Sequence, residues 1–494
     1  MELDPKVCYR ALCTRDARFD GRLFVGVTST GIYCRPICPA GPARLENCRF
    51  FTSAAAAQEA GFRPCLRCRP EIAPELATWR GTSNTVHRGL ALIAAGALDG
   101  DDGVEVLAAR LGIGERQLRR LFDQHLGVSP IAVAQTRRVL FAKQLIHDSR
   151  LPMSEIAIAA GFGSVRRFNE TFRQLFRRPP SALRRKAVVA LPEGSVAAMG
   201  VTVRLRYRAP YDWPAMLAFL GTRAIDGVER IEGECYVRSV AHDGAVGTVE
   251  VAHVPERDSL AVAIRFPCVR ALPAIIARVR RVFDLGADVA SIAAHLARDR
   301  MLAPLIARRP GLRVPGGWDG FGLAVRAVLG QQVTVAAARR LAGQLVALCG
   351  AALPAGLGGP GVMRVFPDAA RVAAADLSTL GMPAARRATL VALAHAVLAE
   401  PRLFEPLATI EDTVARLRAI RGVGDWTAHY IALRAAREPD AFPASDLGLL
   451  RGAARNGARP SPAELAARAE RWRPWRAYAA QHLWAADAEP RATM

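Results

Sequence analysis

Apolar residues recur at four-residue intervals twice in the first 190 positions. Leu118, Phe122 and Leu126, followed by Pro130, return fifty positions later as Phe168, Phe172 and Phe176, followed by Pro180. That spacing puts each trio on one face of a helix. Each trio follows a short apolar helical pattern and a glycine-containing turn, VLAARLGIG and IAIAAGFGS. The repeat predicts two helix-turn-helix units, with second helices starting near Glu115 and Ser164. Past residue 200 the period changes. VTVRLRY, CYVRSVA, GTVEVAHV and SLAVAIRF read as strands, with the turn sequence HDG between the middle two. From about residue 270 the pattern is almost wholly helical.

Breaks rich in Ser, Gly and Pro fall at RGTSNTVHRG (80–89), LPEGSVAAMG (191–200) and ARRPGLRVPGGWDG (307–320). With 494 residues, two to four domains are expected. No run of 18 uncharged apolar residues predicts a membrane span. The N-terminus MELDPKVCYR lacks the pattern of a secretion signal, so the expected compartment is the cytosol. Net charge is +22, made of +4 over 1–80, +8 over 81–186 and +10 over 187–494. A positive excess in every part points to a polyanionic partner, DNA or RNA first. Arginine supplies nearly all of it, since Lys6, Lys143 and Lys186 are the only lysines, and a codon bias is the bland reading.

Five of the ten cysteines lie between Cys34 and Cys68. Cys34-x3-Cys38 and Cys65-x2-Cys68 can give four thiolates to one tetrahedral Zn²⁺. Such a complex carries net charge −2, so its sulfurs stay nucleophilic. Arg35, Arg63, Arg67 and Arg69 lie beside it and could hold a phosphate. A thiolate attacking a methyl phosphotriester would take the methyl group and reduce the site charge to −1, weakening its repulsion from DNA. A purely structural zinc is the plainer alternative. GIYCRPICPAGPARLENCRFF…AGFRPCLRCRP resembles the zinc domain of the Ada-type methylation-responsive regulators over residues 5–72. The resemblance implies that Cys34 is the methyl acceptor and that Cys38, Cys65 and Cys68 complete the ligand set.

Exposed positions on the two reading helices include Arg116, Gln117, Arg119, Arg120, Arg166, Arg167 and Asn169. These side-chain types read base edges in the major groove or hold phosphates. Residues 84–186 resemble the AraC-type DNA-binding domain, above all in IAIAAGFGSVRRFNETFRQLFRRPPSALRR. The Pro-Cys-His-Arg motif of the guanine-methyl transferase half of Ada does not occur, so direct reversal of O6-methylguanine is not expected.

In the C-terminal half, LRAIRGVGDWTAHYIALRA (417–435) reads as helix, Gly-Val-Gly hairpin and helix. A turn of this kind presents backbone N–H groups to a DNA phosphate. Residues 200–490 resemble the helix-hairpin-helix glycosylases, in particular the DNA-3-methyladenine glycosylase II group. RRVFDLGAD, RPGLRVPGGWDGFGLAVRAVLGQQVTVAAARRLA and ERWRPWRAYAAQHLW carry the likeness along with the hairpin. It implies that Asp446 is the catalytic aspartate and that Trp426, Tyr430 and Trp484 line a pocket for the flipped base. Gly422, Val423 and Gly424 then form the phosphate-binding hairpin. Gln332 takes the wedge position, where the group has leucine, and Ser445 stands where a second Asp is usual.

An alkylated purine is cationic and already a good leaving group, so a carboxylate near C1′ that stabilises an oxocarbenium-like sugar is sufficient. Electron-rich indoles can hold the cation, at about 0.5–2 kcal/mol each, once the base has left the stack. No lysine follows Lys186, which excludes a lysine Schiff base in this half and implies a monofunctional enzyme. Cys235, Cys268 and Cys349 are too dispersed for an iron–sulfur cluster.

The expected architecture is multidomain α+β. It comprises a small zinc α/β domain (1–80), an all-α double helix-turn-helix domain (84–186) and a linker (187–199). A TATA-binding-protein-like α/β lobe (200–310) and an all-α helix-hairpin-helix catalytic region (311–494) follow. The expected function is excision of alkylated bases, fused to a methyl-phosphotriester sensor and a transcription-regulatory module. The alternative is an activator whose C-terminal half serves only as a DNA clamp. Expected partners are double-stranded DNA with alkylated bases or methyl phosphotriesters, promoter DNA and RNA polymerase, with no membrane.

Overall fold

The computed structural model describes residues 4–73, 84–99, 103–184, 200–407, 409–454 and 458–488. The expected linker 187–199 lies outside the described residues. The chain divides into two compact units, one of residues 1–207 with 254–277, the other of 208–253 with 278–494. No helix among the described residues is long and apolar enough to cross a membrane.

The first unit opens with a small sheet in the order β3-β1-β2-β4. Its strands are β1 (Phe24–Val27), β2 (Ile32–Cys34), β3 (Cys48–Phe51) and β4 (Arg63–Pro64). β1 pairs antiparallel with β2 and β3, with Val25 opposite Cys34 and Phe50, while β2 pairs parallel with β4. This order carries Cys34 at the end of β2 to the loop after β4 that bears Cys65 and Cys68.

The two helix-turn-helix units follow as the fifty-residue repeat predicts. Helix Val104–Leu111 leads into Glu115–Leu126, and Met153–Ala159 into Val165–Phe176. Leu118, Phe122, Phe168 and Phe172 are completely buried, and Leu126 and Phe176 nearly so. Full burial of such a side chain contributes roughly 1.5–3 kcal/mol, which makes the repeated trios the chief source of local stability. Gly112 caps the first turn at φ +73°, and Gly161 occupies the second at φ +79°. A Cβ on Gly161 would lie 2.4 Å from the Asp99 side chain, so the second turn requires glycine twice over.

The long helix Pro130–Asp148 joins the two reading units and also serves the zinc loop. Lys143 is fully buried; its Nζ donates to the Cys65 carbonyl at 2.9 Å and to Glu71 Oε2 at 2.6 Å. Arg69 ties Glu71 to Asp148, at 2.9 Å to each. The same helix holds β5 (Val201–Arg206) through Gln144 Nε2, which donates to the Arg204 carbonyl. In the second unit β6 (Glu229–Glu232), β7 (Cys235–His242) and β8 (Ala245–Val254) form an antiparallel meander. Asp243 and Gly244 turn β7 into β8 with φ of +48° and +76°, the twist a two-residue hairpin needs. β9 (Ser259–Arg265) pairs antiparallel with β5 in the first unit.

The rest of the second unit is helical, with a core that runs from Ile225 through Val328, Leu393 and Ile431 to Leu483. Helices Ile410–Arg418 and Asp425–Arg434 flank the hairpin, and helices Leu447–Gly452 and Arg476–Ala488 pack beside them.

Candidate functional site

Asp446 is the N-cap of helix Leu447–Gly452. Its Oδ1 accepts from the Leu449 N–H at 3.0 Å and from Trp484 Nε1 at 2.8 Å, and its Oδ2 accepts from Trp426 Nε1 at 2.7 Å. The carboxylate is half-buried, and its three donors fix its direction, leaving Oδ2 with acceptor capacity for one more partner. Gly448 makes room for this arrangement, since a Cβ there would lie 3.0 Å from both Asp446 Oδ1 and Trp484 Cδ1. Trp426 and Tyr430 stack with ring centres 5.3 Å apart and 16° between planes, and Trp484 stands edge-on to Tyr430 at 6.2 Å. The four residues expected at a base pocket are therefore one cluster, with the indole N–H edges committed to Asp446.

Arg434, on the same helix as Trp426 and Tyr430, lies beneath that cluster. Its guanidinium sits 5.2 Å from the Tyr430 ring centre, 5.0 Å from Trp484 and 4.4 Å from Phe219. Burial raises the Tyr430 phenol pKa, but the Arg434 and Arg223 charges outweigh it and the net shift is downward.

The hairpin is built as expected, with different roles for its three residues. Gly422 has φ +85°, and a Cβ there would fall 1.9 Å from Thr389 Oγ1. Val423 is buried, and its N–H donates to the Ile420 carbonyl, so it anchors the turn and has no N–H to spare for a phosphate. Gly424 has an ordinary φ of −83° and open space beside it; its missing side chain serves close approach and not the turn itself. Gln332 is exposed and adopts φ +55°. Its neighbour Gln331 donates to the Gly422 carbonyl and to Thr427 Oγ1, each at 3.1 Å, and so ties the wedge loop to the hairpin. Ser445 is exposed.

In the first unit the sulfurs of Cys34, Cys38, Cys65 and Cys68 all lie within 4.8 Å of one another. Four sulfurs at this spacing cannot all lose their protons without a cation between them. Their mutual contacts push the Cys34 thiol far up and Cys65 far down, and a single Zn²⁺ resolves the conflict by holding four thiolates at once. Cys38, Cys65 and Cys68 are buried, and Cys34 is partly exposed. The Arg35 N–H donates to Cys68 Sγ and the Arg67 N–H to Cys65 Sγ, each at 3.3 Å, and an amide at Ala40 serves Cys38. Among the described residues no backbone amide donates to Cys34. Hydrogen bonding dampens a thiolate's nucleophilicity, which leaves Cys34 as the reactive sulfur.

Two of the four arginines expected to hold phosphate do something else. Arg35 is buried in an ion pair with Asp20 and also donates to the Cys68 carbonyl. Arg69 is occupied by Glu71 and Asp148. Arg67 is exposed and Arg63 partly so, and these two remain available. On the reading helices Arg116, Gln117, Arg119, Arg120, Arg166 and Arg167 are exposed, with Asn169 partly covered. Arg119 pairs with Glu115 and Arg166 with Glu170, one turn away in each case.

Four family models match in chain order. "Metal binding domain of Ada" covers 7–71, "Helix-turn-helix domain" 107–186, "AlkA N-terminal domain" 202–319 and "HhH-GPD superfamily base excision DNA repair protein" 325–477. The "Probable bifunctional transcriptional activator/DNA repair enzyme AlkA" of Mycobacterium tuberculosis is 39% identical over 484 residues, 98% of this chain and 97% of that protein. The chain belongs to that family.

Within this AlkA family the second unit has a shorter relative. The "DNA-3-methyladenine glycosylase 2" of Escherichia coli is 35% identical over 283 residues, 57% of this chain and 95% of that enzyme. The fold of that portion matches "3-methyladenine dna-glycosylase from Archaeoglobus fulgidus" with a TM-score of 0.51, at 21% identity over 57% of this chain and 97% of that one. The AlkA-type chain thus joins an Ada-type zinc domain and a helix-turn-helix module to a base-excision glycosylase. Arg434, Phe219 and Gln331 were not anticipated from sequence. The arginine of ALRA reads as an ordinary helix end, and Phe219 lies some 200 positions upstream of the hairpin.

Proposed function

We propose that the second unit hydrolyses the N-glycosidic bond of alkylated purines of the 3-methyladenine type in duplex DNA, leaving an abasic site. The observation that carries this is the convergence of Trp426 and Trp484 N–H groups on Asp446, inside an aromatic cluster, in a chain of this family. Asp446 Oδ2, with room for one more donor, faces the sugar or orients the attacking water. The departing base takes the glycosidic electron pair, and water adds to C1′ after losing its proton. Gly422 and Gly424 bring the hairpin backbone to a phosphate, and Gln332 fills the gap left by the flipped base.

The first unit reads methylated backbone. The Cys34 thiolate attacks the methyl carbon of a methyl phosphotriester; a carbon–sulfur bond forms, the carbon–oxygen bond breaks, and a phosphodiester anion leaves. The site's charge changes from −2 to −1, which favours promoter DNA under the two reading helices and recruitment of RNA polymerase. The reading places the chain in the cytosol, where thiolates stay reduced.

The decisive experiment is base release from alkylated duplex DNA by the wild type and by Asp446→Asn. The variant should lose release by about 100-fold or more and retain DNA binding. Equal release by both would refute the assignment of Asp446. DNA binding without release by either would leave the unit as a clamp. Mass spectrometry of Cys34 peptides after exposure to methyl-phosphotriester DNA should show one added methyl group; an unmodified Cys34 makes the zinc purely structural.

A further inference from the structure

Arg434 is a cation where burial should exclude one. The residue is 2% exposed. Its Nη1 donates to the Pro315 carbonyl at 2.8 Å and Nη2 to Gln481 Oε1 at 3.3 Å. Both partners are neutral, and among the described residues no carboxylate forms an ion pair with it. Its Nε finds no hydrogen-bond partner. A buried charge left without a counter-charge costs several kcal/mol, so a fold that keeps one needs a reason. Its remaining neighbours are the faces of Phe219, Tyr430 and Trp484. The Phe219 ring also carries the Arg223 guanidinium at 4.0 Å. Burial brings the Arg434 pKa down to about 10, which leaves the group charged at neutral pH.

Two consequences follow for anything stacked on these rings. A cation held against a ring draws on the same quadrupole that would attract a second cation, so Tyr430 and Trp484 are poorer cation receptors than isolated aromatic residues. The guanidinium also acts directly through a low-dielectric path, repelling a positive base and favouring the negative charge that develops on a neutral base as it departs. Asp446 acts in the opposite sense, through the indole N–H groups it accepts from.

We propose that Arg434 is a specificity-determining residue that offsets the pocket's attraction for positively charged bases and so sets the balance between charged and neutral damaged bases. This rests on the reading of the aromatic cluster as the base pocket.

The test uses the full chain under single-turnover conditions, with duplexes carrying one 7-methylguanine, which is cationic, or one hypoxanthine, which is neutral. Arg434→Met should raise the ratio of cationic to neutral release about tenfold, and Arg434→Lys should keep it within about threefold of the wild type. A ratio unmoved in Arg434→Met, both rates falling together, overturns the proposal and shows a packing role. A measurement on the wild type alone guards against a misfolded variant: binding of duplexes with 7-methylguanine or its neutral isostere 7-methyl-7-deazaguanine. Affinities within about threefold support the offset, whereas a cationic preference beyond about tenfold overturns it. A wild type that frees neither base defeats the excision reading and this inference with it. One that frees both, at a ratio insensitive to Arg434→Met, defeats this inference alone.

Discussion

Trp484 Nε1 donates to Asp446 Oδ1 at 2.8 Å, so a ring that walls the base site also aims the carboxylate. Trp426 does the same for Oδ2. Trp426→Phe and Trp484→Phe keep a stacking face and remove one donor each. A hydrogen bond to a charged group is worth about 1.5–3 kcal/mol. Each variant should therefore lose about 10- to 100-fold in single-turnover base release, with little change in affinity for damaged DNA. A variant that loses affinity while its release rate stays intact would show that the indoles act by stacking alone.

The hairpin glycines should separate folding from binding. Gly422→Ala forces a Cβ into Thr389 at a positive φ, and should lower the unfolding midpoint of the second unit along with DNA affinity. Gly424→Ala meets open space at φ −83°, so its stability should match the wild type and its DNA affinity should fall. Urea unfolding and a fluorescence binding titration read the two effects. A stable Gly422→Ala protein would disprove the steric account.

Lys143 and Glu71 form a fully buried pair beneath the zinc loop. Lys143→Met leaves Glu71 charged and short of a partner, which should cost about 3–5 kcal/mol in the first unit and speed zinc loss to a chelator. Adding Glu71→Gln should restore part of the loss. A double variant no better than the single would mean that packing, not charge, is what Lys143 provides.

Stability of the second unit should fall in mild acid. Burial, with Arg309 adding to it, holds the His482 pKa down to about 4 from the usual 6.5. Between these values the unfolded chain takes up a proton that the folded one refuses. The contribution is therefore complete above about pH 6.5 and drains away as pH falls to about 4, amounting to roughly 1–3 kcal/mol. Unfolding measured stepwise over that range should show a shallower slope in His482→Asn. Glu229, held down to about 2 by Arg326 and Arg238 against its burial, is lost in a lower window, from about 4.5 to 2. An unchanged slope in the histidine variant would refute the assignment.

Local pattern carried much of the fold. The phenylalanine trio at 168, 172 and 176 marks its helix because each ring lands on the same buried face. The cysteine spacing marks the metal site because two short loops suffice to close it. β6 was missed because its sequence ERIE has no apolar run; it is a strand because it pairs with β7. Arg35 and Arg69 looked like phosphate ligands because they adjoin cysteines, yet Asp20, Glu71 and Asp148 claim them from other parts of the chain. Arg434 was hidden for the same reason. What a charge does in a folded chain depends on partners that sequence neighbours do not reveal.

The contact between Lys143 and the Cys65 carbonyl bears on how such a chain can be taken apart. Sensor and reader share one interior, so severing the polypeptide near residue 80 would strand an acid on one fragment and an ammonium group on the other. Grafting this reading module onto a foreign sensor would require carrying residues 65–71 along with it. Descendants of this architecture should therefore inherit the two parts together.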